Sequence, residues 1–182
     1  MLVVGLVGVT PGEAVSFVLA DREREQAIRI GKRSIIEEHF GSEWRLKDAS
    51  GQTLVVMTPF HRLALAARNS AFRSQEMTPK DVQSAVKDTE GKLNFRVTLR
   101  GGKSDFARFY TPTLLAGSQE VKASFVQNER TALRGEDGQF TARCLYVFPA
   151  ENVDPRATVT LLVRDGDEKL VAKFTVDLST MR

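Results

Sequence analysis

Hydrophobic positions recur along this chain with two different periods, and the change between them divides it. Residues 139–149 read Gln-Phe-Thr-Ala-Arg-Cys-Leu-Tyr-Val-Phe-Pro, so Phe140, Ala142, Cys144, Tyr146 and Phe148 fall on one side of an extended backbone. Thr141, Arg143, Leu145 and Val147 fall on the other. A period of two is that of a β-strand. The second side turns apolar toward Val147, which predicts a central strand covered on both faces there. Pro149 ends it, having no N–H to give to a ladder. Leu93, Phe95, Val97 and Leu99 repeat the same alternation. Further strands are expected over residues 106–111 and 121–127. Residues 157–164 and 169–178 are expected to form a terminal hairpin around Asp165-Gly166-Asp167-Glu168, with Val171, Phe174 and Val176 supplying the apolar content of its last strand.

Before Gly91 the period is that of a helix. Phe60, Leu63, Ala64, Ala67 and Ala71 form an amphipathic stripe after Thr58-Pro59, a capping residue followed by a proline at the first helical position. Arg62, Arg68, Asn69 and Arg73 occupy the other side. Thr78-Pro79-Lys80-Asp81 starts a short helix to about residue 88, with Val82, Ala85 and Val86 as its buried side. Thr10-Pro11-Gly12-Glu13 has the same form and predicts a helix over 11–30 with Gly31 as its cap. The competing reading joins residues 2–9 to 15–20 as a secretory signal, although no Lys or Arg precedes the apolar run and Glu13 interrupts it. Residues 32–40 extend or restart helix, with Ile35, Ile36 and Phe40 on one face and Gly41 as its end. Residues 43–48 and 52–57 read as a hairpin around Asp48-Ala49-Ser50-Gly51, with Trp44 and Leu46 sharing a face.

These elements give an α+β fold class: N-terminal helices with a β-hairpin in residues 1–91, packed beside a C-terminal antiparallel β-sandwich in residues 92–182. One folding unit for both parts is also consistent with the pattern. The sandwich resembles immunoglobulin-like domains at the level of architecture, and lacks their paired cysteines and central tryptophan. No family motif maps onto the chain residue by residue.

Composition narrows the chemistry. The chain has 182 residues, 42% hydrophobic and 27% charged, which suits a folded domain with a real core. The net charge is +3, from 26 basic and 23 acidic residues, and all of the excess lies after Gly91. So small an excess is no polyanion footprint, and no nucleic-acid partner is expected. Cys144 is the single cysteine, so no intrachain disulfide forms, and its place in the alternating strand predicts a small buried hydrophobe. No apolar run reaches the ~20 residues of a transmembrane helix. Exported and cytoplasmic locations both fit the N-terminus.

Five features could carry chemistry. Arg100-Gly101-Gly102-Lys103-Ser104 contains Gly-Lys-Ser, but a phosphate loop would need glycine where Val97 stands. The loop can still offer Lys103 and backbone N–H groups to an anion. His39 and His61 are the only histidines. His39 sits at an expected helix end and His61 in an expected exposed first turn. Asp165-Gly166-Asp167-Glu168 lacks the full calcium-loop pattern and reads as a turn. Trp44 reads as a core anchor. The helix face bearing Arg62, Arg68 and Arg73 is the most suggestive surface, because arginine suits carboxylate and phosphate recognition. No cofactor or metal is called for. The sequence therefore points to a non-catalytic binding or protein-interaction module for an unidentified protein or small anionic ligand, with Arg62, Arg68, Arg73 and Lys103 as candidate contacts. The alternative is a hydrolase-like site assembled between the two parts around His61 or His39.

Overall fold

The computed structural model describes residues 14–182. The apolar stretch at 2–9 and the Thr10-Pro11 helix start lie outside the described residues. Three α-helices follow, α1 (Asp21–Arg33), α2 (Pro59–Phe72) and α3 (Pro79–Val86). Thr58 caps α2 by accepting the His61 N–H at 3.0 Å. Thr78 and Asp81 close a reciprocal capping box at the start of α3.

The expected helix over 11–30 is corrected at both ends. Residues 14–20 are an extended strap: the Val15 N–H donates to the Leu178 oxygen at 3.2 Å, and the Phe17 oxygen accepts the Gly91 N–H at 2.9 Å. Val15 and Leu19 are buried and Phe17 packs against the core, a period of two. Val15, Phe17 and Val18 favour a pleated backbone, and these bonds give it partners. The helix begins only at Asp21, where the Glu23 carboxylate accepts the Ala20 N–H at 2.7 Å. It also runs past Gly31. That glycine is no cap; it lies where α1 presses on α2, and a Cβ there would sit 2.1 Å from the Ala64 oxygen. Of residues 32–40, Lys32 and Arg33 complete α1, and residues 34–40 do not continue as α-helix. A single 3₁₀ turn at Ser34–Ile36 leaves Ile36 90% exposed, and the chain turns at Gly41 with φ of 88°.

Among the described residues, ten strands form two antiparallel sheets. The first holds β1 (Arg45–Lys47), β2 (Thr53–Met57), β3 (Lys92–Gly101), β8 (Phe140–Pro149) and β6 (Phe125–Gln127) in that order, with β7 (Leu133–Arg134) also paired to β8. The second is ordered β10 (Leu170–Asp177), β9 (Thr158–Arg164), β4 (Thr111–Ala116), β5 (Gln119–Lys122). The expected α+β class with an antiparallel β-sandwich is the observed one, and the N-terminal hairpin is built into it. β2 pairs with β3, so Val55 lies opposite Arg96.

The inner faces follow from the alternation. Phe95, Val97, Leu99, Ala142, Cys144, Tyr146 and Phe148 point inward, and Leu114, Val159, Leu161, Val163, Phe174 and Val176 meet them in one core that also takes in Phe60, Leu63 and Ala64 of α2. Tyr146 and Phe148 are fully buried. The β8 prediction holds, down to Val147, which is buried on the outer side as well.

Three strand boundaries differ from expectation. Residues 106–110 form turns and β4 starts at Thr111, because Phe106 folds back over Gly101, where a Cβ would lie 2.4 Å from its ring. The run 121–127 is two strands in different sheets, and the chain crosses at Ala123-Ser124. In β10 a bulge between Leu170 and Ala172 makes Val171 the extra residue, so Ala172 joins Phe174 and Val176 inside.

Candidate functional site

The outer face of the six-stranded sheet is built by the polar half of the same alternation. Antiparallel register puts Arg45, Val55, Arg96, Leu145 and Gln127 in one row across β1, β2, β3, β8 and β6. The next row is Lys47, Thr53, Thr98 and Arg143, and Arg100 stands beyond it opposite Thr141. Arg45, Lys47, Arg96, Arg100 and Arg143 are all exposed. The strands β1, β2, β3 and β8 contain no Asp or Glu. Arg100 is paired with Asp137; the other four form no salt bridge among the described residues.

A groove of about 370 Å³ runs over this face, lined by Val55, Arg96, Thr98, Gln127, Arg143 and Leu145. Its floor is aliphatic, since Val55 and Leu145 are half-buried, and its walls are guanidinium groups. Thr98 supplies a hydroxyl and Gln127 an amide. The strand N–H groups are engaged in ladders, and the Arg143 N–H donates to the Glu129 carboxylate at 2.6 Å, so recognition here falls to side chains. Arg96 and Arg143 occupy adjacent rows of adjacent strands, a diagonal of roughly 7–8 Å.

The basic field reaches inward. His61 is 5% exposed, and its ring stacks on Trp44 with centroids 4.1 Å apart and planes 4° apart. Its Nδ1 donates to the Val56 oxygen at 3.0 Å. Burial lowers its pKa from 6.5 to about 4, and the charges of Arg96, Arg45 and Arg62 push in the same direction. The expectation of an exposed His61 is thus corrected: position three of α2 faces the core under Trp44. Trp44 sits in a 3₁₀ turn (Ser42–Trp44) before β1, not on a strand with Leu46, and its indole N–H donates to the backbone oxygen of Arg182 at 2.8 Å. His39 is exposed in the turn before Gly41. Neither histidine side chain hydrogen-bonds a carboxylate among the described residues. The described residues also contain no group of three His, Cys, Asp or Glu side chains able to hold a metal.

The four residues singled out from sequence do not converge. Arg62 stands close enough to His61 to join the field of Arg45 and Arg96. Arg68 turns the other way, donating to the Glu37 oxygen at 3.2 Å and lying over the Phe40 ring. Arg73 caps the C-terminal end of α2 and is exposed. Lys103 is exposed in the turn after β3. The Asp165 carboxylate accepts the N–H groups of Asp167 and Lys169, so it serves the hairpin turn. Cys144 is buried and its thiol pKa is raised by that burial. Sequence reading missed Arg45, Arg96 and Arg143. Their signal was present as the polar side of β3 and β8, but only register places them together.

No family model and no curated protein matches this chain. Among solved structures it is similar to a protein of unknown function from Burkholderia pseudomallei K96243, with 7% identity, TM-score 0.43, and 90% of this chain and 92% of that one covered. It is also similar to the IgNAR antibody domain C3, with 15% identity, TM-score 0.35, and coverage of 73% and 96%. Neither likeness bears on function, and the fold rests on the strand pairings given above. No described helix is long and apolar enough to cross a membrane.

Proposed function

We propose that this protein is a non-catalytic interaction module that holds an anionic partner on the outer face of its six-stranded sheet. The observation that carries this reading is the groove in which Arg96 and Arg143 stand over an aliphatic floor of Val55 and Leu145. Two planar guanidinium groups without ion-pair partners among the described residues suit carboxylates, which they can grip through paired N–H donors. The aliphatic floor rewards a ligand that also brings apolar surface. A groove of this kind, with a few placed polar groups on an apolar base, is the usual form of a binding site.

Backbone amide shifts recorded during titration with anionic probes test the reading. Saturable shifts at Arg96, Arg143, Leu145 and Val55, lost in the Arg96→Ala, Arg143→Ala double variant, are expected. Shifts confined to the Arg68 and Arg73 side of α2 would move the site to the helix face.

A further inference from the structure

We propose that the occupant of the groove is an extended acidic peptide segment of a partner protein, with two acidic residues at alternate positions and an aliphatic residue two positions before the first of them. This rests on the reading of the groove as a binding site and adds the class of partner.

The spacing of the cations supports it. Arg45 and Arg96 are separated by two strand spacings, roughly 10 Å, with Val55 between them. Arg96 and Arg143 lie on a diagonal of roughly 7–8 Å, close to the roughly 7 Å that separates alternate residues of an extended chain. A strand-like segment crossing the sheet can therefore set two carboxylates at alternate positions, which share one face, against Arg96 and Arg143. Its aliphatic residue, two positions earlier on the same face, is turned toward the floor at Val55, which stands opposite both Arg45 and Arg96.

The same details disfavour other polyanions. Single-stranded nucleic acid needs aromatic platforms for its bases, whereas this floor is aliphatic. The exposed aromatic nearby is Phe125, half exposed on the edge strand β6. A lipid surface asks for apolar side chains that project beyond the charged ones. Here Val55 and Leu145 are recessed between exposed arginines. A free phosphate would be cradled by backbone N–H groups, and the central strands spend theirs on the ladder.

The test titrates the full chain in dilute salt with Ac-Glu-Val-Ser-Glu-Ser-Glu-NH2, its all-glutamine counterpart, hexathymidylate and inorganic phosphate, following amide shifts. Expected is saturable movement of Arg96, Leu145 and Val55 with the acidic peptide, and about fivefold weaker binding or less with the glutamine peptide. Arg96→Ala and Arg143→Ala should each weaken the acidic peptide about fivefold while leaving the unfolding midpoint unchanged. Saturation of the same amides by hexathymidylate or phosphate, but not by the peptide, overturns the partner class and leaves the binding face standing. No movement of these amides with any probe at millimolar concentration overturns both.

Discussion

The two sheets share one core, yet their outer faces are unlike. The six-stranded sheet shows Arg45, Lys47, Arg96, Arg100 and Arg143 with no acid on β1, β2, β3 or β8. The four-stranded sheet mixes Lys122, Lys173 and Arg164 with Glu120 and Asp177, among threonines. Folding does not require the difference. Either face needs only to be wettable, and like charges gathered on neighbouring strands cost stability. The register limits that cost: Arg96 faces Val55 and Leu145 across the ladder, and Arg143 faces Thr98. Concentrated charge that brings the fold no benefit supports the proposed binding face.

The comparison can be broken from inside outward. Phe148→Ala empties a position packed between the sheets and beside Phe95, and should cost about 4 kcal/mol in urea denaturation. Both sheets should lose structure together, read by tryptophan fluorescence and by amide exchange. Gly31→Ala forces a methyl against the Ala64 backbone oxygen, and about 3 kcal/mol is expected from the same measurement. Next comes acid. His61 binds its proton near 6.5 when unfolded and only near 4 when folded, so the unfolded chain takes up more protons in that window. Stability is therefore constant above about pH 6.5 and falls as the pH drops toward 4, by roughly 3 kcal/mol. His61→Phe should flatten this limb of the stability curve. Removing Arg45 and Arg96 together should shorten this limb, ending it at a higher pH with a smaller loss, because the folded imidazole then gains its proton more easily. The smallest effect should be on the outer faces themselves. Arg96→Ala and Arg143→Ala should change stability by less than about 0.5 kcal/mol, as should Lys122→Ala and Lys173→Ala. Only the first pair should weaken peptide binding; equal loss from the second would erase the distinction between the faces.

How far the sequence could be read depends on the range of the contacts involved. Local signals were reliable: the Thr58-Pro59 and Thr78-Pro79 starts, the Asp165-Gly166 turn, and the alternation of β3 and β8 all depend on neighbours a few residues away. The failures sit where distant chain decides. Residues 14–20 are extended because Leu178 and Gly91 offer hydrogen bonds, and Gly31 is helical because Ala64 needs its missing side chain. The site was invisible for the same reason. Arg96 and Arg143 are visibly polar positions of two strands, but nothing local says that Thr98 will face Arg143. The helix arginines drew attention because a helix displays its own face within one segment. The sheet face exists only after residues some forty positions apart have met.

The crossing at Ala123-Ser124 has a mechanical corollary. Two bridging residues leave β5 and β6 almost no slack, with the Ser124 N–H fastened to the Val147 oxygen at 2.8 Å. Neither layer can peel away without tugging the other out of alignment, so grip applied at the arginines is shared by the far layer, and a guest seated on one side should slow the fraying of both.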